Sequence, residues 1–223
     1  MQLGTFSVIA RCDRTKEFGI ATATAAPCVG AFVPFVELGV GAVVTQAWVN
    51  INLGRQGIEL MRLGLSAKTA MEALLTEDRE RQRRQVIAVD SRSAHGFTGS
   101  ECTDAKGHIV ARDFAVAGNI LSDTSVLDRM ASRFKNEGGE LGRRLLSTLR
   151  EGERAGGDHR GRLSAALVVA SPRPRLYHNL RVDFSSDPVQ ELERLYARCE
   201  AIQEDRGDDD SELLRPKVSR VLD

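Results

Sequence analysis

The chain has 223 residues, 42% of them hydrophobic, which is enough for one well-buried core. Lys plus Arg and Asp plus Glu each total 31, so a formal charge of zero gives no electrostatic reason to expect nucleic acid or an anionic membrane as partner. No stretch reaches the roughly 20 apolar residues that cross a bilayer, and no basic-then-apolar signal opens the chain, so no membrane association is expected.

In chain order, residues 5–11 (TFSVIAR) alternate and are rich in β-branched and aromatic side chains, and residues 18–25 (FGIATATA) follow a short polar turn. This spacing predicts a hairpin. A further strand is expected at residues 41–48 (GAVVTQAW). Helical periodicity then places Ile58, Met61 and Leu65 on one face, and Ser66 is the expected N-cap of a second helix carrying Ala70, Met71, Leu74 and Leu75. The mixed-sign run around Arg79, Arg81, Arg83 and Arg84 reads as a solvated helix end.

Strands are expected again at residues 85–90, 95–98 and 108–117. Two helices follow, with stripes Val126, Leu127, Met130, Ala131, Phe134 and Leu141, Leu145, Leu146, Leu149. An apolar strand at residues 163–170 and an amphipathic helix from Val189 to Ile202 complete a domain over residues 1–204. Residues 205–223, with acidic Asp208 to Asp210, read as a polar tail. Clustered strands joined by hairpins, with helices arriving in pairs, predict an α+β fold of antiparallel sheets flanked by helix layers.

Several chemistries find no support. His95, His108, His159 and His178 show no metal-ligand spacing, and neither a dinucleotide loop nor a phosphate-binding loop is present. No cofactor and no metal are therefore expected. The dispersed Cys12, Cys28, Cys102 and Cys199 read as reduced thiols in a cytoplasmic protein, and Cys102 as a small buried hydrophobe.

What remains is Gly4-Thr5 at the start of the first strand. A threonine with a free α-amine can act as nucleophile without a separate base, because its amine reaches its own hydroxyl. A preceding glycine leaves the carbonyl open to attack, although Gly-Thr is common and a strand threonine is usually structural.

Longer segments bear on the choice. These are residues 5–11, residues 39–54 (GVGAVVTQAWVN and the following LG), residues 84–90 (RQVIAVD), Phe97-Thr98-Gly99, Ala117-Gly118-Asn119 and residues 156–169 (GGDHRGRLSAALVV). In these segments the chain resembles the bacterial domain-of-unknown-function family 1028, whose members look like N-terminal-nucleophile hydrolases. The resemblance implies a four-layer αββα sandwich of antiparallel sheets, with the first residue of the first strand pointing into a cleft.

On that basis the loop after Gly156-Gly157 is expected to approach Thr5. Asp158 or Ser164 would orient the nucleophile's amine, and Arg160 would hold a substrate carboxylate or carbonyl. The plain alternative is that Asp158 caps the turn and Arg160 pairs with it. Gln46, Asn50 and Asn119, or the Gly118 backbone, could donate to a developing oxyanion, or could simply close turns. Met1-Gln2-Leu3-Gly4 would have to be removed first, since Thr5 is otherwise acylated.

The leading expectation is thus an amidohydrolase acting on a small amide, lactam or peptide-like substrate. The alternatives are a non-enzymatic small-molecule-binding or assembly protein on the same fold, and a hydrolase pairing Ser164 or Cys102 with His95 or His108. A homodimer or higher homo-oligomer is expected, with the apolar residues 31–36 (AFVPFV) as a candidate contact.

Overall fold

A computed structural model describes residues 2–206. Two antiparallel sheets lie face to face. The first contains β1 (Gln2–Leu3), β4 (Pro34–Glu37), β5 (Gly41–Trp48), β6 (Arg84–Asp90) and β7 (Ala94–Thr98). The second runs β11-β10-β3-β2-β9-β8, formed by β2 (Thr5–Cys12), β3 (Glu17–Thr24), β8 (Gly107–Val110), β9 (Phe114–Asn119), β10 (Ser164–Ala170) and β11 (Asn179–Val182). Every strand pairing in both sheets is antiparallel.

Side-chain alternation explains the layering. In β2, Phe6, Val8 and Ala10 point towards a helix layer, while Ile9 points towards the other sheet. The outer helices of the second sheet are α4 (Ser125–Asn136), α5 (Leu141–Arg154) and α6 (Pro188–Arg206). Their apolar stripes, from Val126 to Phe134 and Leu141 to Leu149, pack on Phe6, Val116 and Leu167. Across the molecule α2 (Ile51–Arg62) and α3 (Ala67–Glu77) cover Val43, Val86 and Ala88 of the first sheet. Ile9, Ile20, Val44, Ile87 and Ala166 fill the space between sheets. The order is helices, sheet, sheet, helices. A single turn, α1 (Val29–Phe32), links β3 to β4.

The expected N-cap at Ser66 is present, its hydroxyl accepting from the Thr69 amide at 3.1 Å. Three expectations need correction. Residues 108–117 are not one strand but the β8–β9 hairpin, turning at Ala111-Arg112-Asp113 without a glycine or proline to mark it. The boundary at residue 205 falls inside α6, which runs on to Arg206; the acidic Asp208 to Asp210 lie outside the described residues. Arg84 is no solvated helix-end residue. It is buried at the start of β6, with its guanidinium on Asp78, Glu80 and the Trp48 carbonyl.

In the apolar segment 31–36 only Val33 is buried; Ala31 and Phe32 are exposed, and Pro34, Phe35 and Val36 are half-buried, with the ring of Phe35 pressing on Gly54 of α2. No helix among the described residues is long and apolar enough to cross a membrane.

Candidate functional site

At one end of the space between the sheets, apolar residues give way to polar ones. Counting back along β2 from Ile9, the inward positions are Ser7 and Thr5. Along β3 from Ile20 they are Thr22 and Thr24, and along β9 from Ala117 the next is Asn119. The facing sheet contributes Gln46 from β5 and Gln85 from β6, and all seven of these side chains are buried. A buried polar group needs a hydrogen bond, so this cluster has to be internally connected.

It is, almost completely. Ser7 gives its single hydroxyl proton to Gln46 Oε1 at 2.6 Å, so the 2.8 Å contact with Thr22 must be donated by Thr22. Gln46 Nε2 donates to Gln85 Oε1 at 2.7 Å and to the Thr5 carbonyl at 3.3 Å. Asn119 Nδ2 donates to the same Gln85 Oε1 at 3.0 Å. Gln85 Nε2 in turn serves Thr98 Oγ1, the Gly107 carbonyl and the Gly118 carbonyl, between 2.8 and 2.9 Å. The exception is Asn119 Oδ1, which is buried without a hydrogen-bond partner; Asn119 lies directly opposite Thr5 in the ladder.

Leu3 and Gly4 do not leave the sandwich. Leu3 is buried in the core between the sheets, and β1 pairs with Ala47 and Trp48 at the end of β5. Thr5 Oγ1 donates to the Leu3 carbonyl at 3.3 Å. The Gly4 carbonyl between them accepts two hydrogen bonds, a short one from the Thr24 hydroxyl and one from Arg160 Nη2 at 3.3 Å.

Arg160 is held for this. Its Nε and Nη2 bind the two oxygens of Asp158 at 3.1 and 2.8 Å, a bidentate pairing that fixes the guanidinium plane. Asp158 is anchored by the amides of Ala25 and Arg160 at 3.1 and 3.0 Å. The loop itself is clamped to the end of β9, where His159 donates to the Ile120 carbonyl and Ser122 to that of Gly157. Gly157 and Gly161 adopt positive φ in this turn. The Asp158 carboxylate holds the Arg160 guanidinium above its usual pKa, against the effect of burial.

Two non-glycine residues beside the cluster also have positive φ: Ala47 at 66°, next to Gln46, and Ile120 at 53°, next to Asn119. For a β-branched residue this is an outlier, and such strain collects at functional sites.

The structure therefore gathers Thr5, Asp158, Arg160, Gln46, Asn119 and the Gly118 backbone around one point, and leaves two expected residues elsewhere. Ser164 stands opposite Thr24, but its hydroxyl donates to the Ala26 carbonyl at 2.6 Å and accepts from the Val29 amide at 3.0 Å, holding the turn into α1. Asn50 is the N-cap of α2 and donates to Asp78. Sequence reasoning missed Thr24 and Gln85. The signal for both was a polar side chain at an inward position of a strand buried on both faces.

Cys102 is buried, and burial pushes its thiol up. His95 and His108 are pushed down by desolvation, and His108 Nδ1 meets Thr98 Oγ1 at 2.8 Å. No group of three or more His, Cys, Asp or Glu side chains among the described residues could hold a metal ion.

Residues 5–192 match the family of unknown function DUF1028. A crystal structure of protein SPO2555 from Silicibacter pomeroyi, of the same family, is 35% identical in sequence. It superposes with a TM-score of 0.81 over 88% of this chain and 88% of its own. No curated protein matches the chain.

Proposed function

The chain belongs to the DUF1028 family of unknown function, and we propose that it is an N-terminal-nucleophile amidohydrolase whose nucleophile is Thr5 once residues 1–4 are removed. The observation that carries this reading is the grip on the Gly4 carbonyl. A hydroxyl from β3 and a guanidinium 156 residues away both point at one peptide oxygen, beside a buried threonine hydroxyl. Donors aimed at a carbonyl oxygen favour the tetrahedral oxyanion that forms when its carbon is attacked.

In the first reaction Thr5 Oγ attacks the Gly4 carbonyl carbon, and the peptide C–N bond breaks as the Oγ proton passes to the Thr5 nitrogen. Water then hydrolyses the ester, releasing the Gly4 carboxylate and a free Thr5 amine. In turnover that amine takes the proton from Oγ as it attacks the substrate carbonyl, and the proton leaves with the departing amine. Water completes the cycle. Thr24 and Arg160 serve the oxyanion, Asp158 fixes Arg160, Gln46 holds the Thr5 carbonyl, and Asn119 Oδ1 accepts from the freed amine. Ser164 and Asn50 support the frame. The substrate is a small amide, lactam or peptide-like molecule, and no cofactor takes part.

Intact mass of the purified protein and its turnover of an amide test the proposal together. Loss of residues 1–4 with Thr5-dependent turnover is expected, and Thr5→Ala should retain those residues and lose activity. Turnover by protein that retains residues 1–4, or unchanged activity in Thr5→Ala, refutes the mechanism. A second reading is a non-enzymatic small-molecule-binding or assembly protein, favoured by the seating of Leu3 within the core. Protein that keeps residues 1–4 and gains thermal stability from a ligand without turning it over would support it. The accompanying expectation of a homo-oligomer fails if sedimentation shows a monomer at micromolar concentration.

A further inference from the structure

We infer that the acyl half of the substrate is a linear acyl-glycine with an apolar side chain on the residue before the glycine, bound as a short strand on the end of β5. This rests on the amidohydrolase reading, and follows from one chemical identity. The ester formed when Thr5 attacks Gly4 and the acyl-enzyme formed in turnover are the same species, a carboxylic ester on Thr5 Oγ. They differ only in what the carbonyl carries. The surroundings of Gly4 and Leu3 are therefore the walls of the acyl site, seen with an acyl group in place.

Those walls are selective. A Cβ on Gly4 would lie 2.8 Å from Asp158 Oδ2 and closer still to Arg160 Nη2. A flexible arginine could ordinarily move aside. Here the guanidinium is tied to Asp158 through Nε and Nη2 and donates to the Gly4 carbonyl, so displacing it removes an oxyanion donor. The atom next to the reacting carbonyl must then be a CH2.

One residue further out the demand reverses. Leu3 is buried in the core between the sheets, so a ligand without a side chain there would leave an apolar cavity. Its backbone pairs with Ala47, the left-handed residue of β5, which presents a strand edge to the acyl chain. The edge is short because β5 ends at Trp48, the partner of Gln2, and α2 begins at Ile51. That leaves two residues of the acyl chain paired with β5.

The covalent step balances as amide plus water giving carboxylic acid plus amine: the C–N bond breaks, the acyl carbon gains the water oxygen, and the amine takes a proton. The test uses protein shown by mass to lack residues 1–4. Aminocoumarin amides of N-acetyl-leucyl-glycine, N-acetyl-leucyl-alanine and N-acetyl-glycyl-glycine are compared by kcat/KM. The free acids N-acetyl-leucyl-glycine and N-acetyl-leucyl-alanine are compared by thermal shift.

A preference for leucyl-glycine over each of the other amides of about tenfold or more, with stabilisation by its acid alone, is expected for a one-methyl or one-side-chain difference in a rigid pocket. Equal rates, or equal shifts from both acids, overturn the inference and leave the amidohydrolase reading intact, as does Thr5-dependent turnover of other amides only. Protein that retains residues 1–4 and hydrolyses no amide overturns both.

Discussion

Replacing Gln85 by leucine removes the hub of the polar cluster while nearly conserving volume, so the cavity contribution is small and the hydrogen-bond contribution dominates. In the wild type Gln85 Oε1 accepts from Gln46 and Asn119, and Nε2 serves Thr98 and two backbone carbonyls. After the change Asn119 loses the partner of its Nδ2, and its Oδ1 already has none. A buried amide left wholly unpaired costs about 1–3 kcal/mol. Gln46 keeps the Thr5 carbonyl, so its loss is smaller, about 0.5–1.5 kcal/mol, and the Gly118 carbonyl adds a similar amount. The expected destabilisation is about 4 kcal/mol, a large share of the roughly 5–15 kcal/mol of a typical domain. Urea unfolding of Gln85→Leu and wild type measures it, with equal slopes showing that the unfolded state is unchanged. A difference below about 1 kcal/mol would mean that water or rearranged side chains satisfy the cluster, and the account of a closed network would be wrong.

Three further outcomes are expected. Arg160→Met should slow removal of residues 1–4 by about 100-fold or more, as loss of an oxyanion donor does; an unchanged rate by time-resolved intact mass, in a folded variant, refutes the role of the guanidinium. Glu140 accepts from Tyr177 and Tyr196, and His178, then these hydroxyls, hold its carboxyl below the ordinary 4.5 against burial. The stability lead of wild type over Glu140→Gln should therefore be full above pH 4.5 and disappear as pH falls through the lowered native value; a lead independent of pH by urea unfolding contradicts this. Gly54→Ala should cost about 1–3 kcal/mol by driving a methyl into the Phe35 ring, but gain about 1 kcal/mol in a Phe35→Ala background, where only helix propensity remains. Additive effects in the double-mutant cycle refute the contact.

The strands that carry the site were legible because β2, β3, β5 and β6 are long, β-branched and bounded by polar turns. The pieces that escaped were short edge strands. β4 and β11 have four residues each, too few for alternation to declare itself, and β1 has two. The candidate site was half legible for a different reason. Asp158 and Arg160 stood out as charges in a glycine turn, and that pairing is what the structure contains. Thr24 reads as one more small residue in a small-residue strand. Only the register, which sets it opposite Thr5, gives its hydroxyl a target in the Gly4 carbonyl. Ser164 misled because a hydroxyl at the head of an apolar strand looks available until the turn into α1 takes both its bonds.

The grip of Arg160 on Gly4 has a consequence in time. The β2–β3 hairpin lies within the first 24 residues and is complete early in synthesis, but its outer neighbours β9 and β10 and the loop carrying Arg160 come from the last half of the chain. Contacts of such long sequence separation close late, because the loop entropy must be overcome first. Until they close, the Gly4 carbonyl has neither its guanidinium nor a dry setting. Any reaction at that bond is thereby deferred until the sandwich has shut, so a cut between Gly4 and Thr5 would record that the molecule had finished folding.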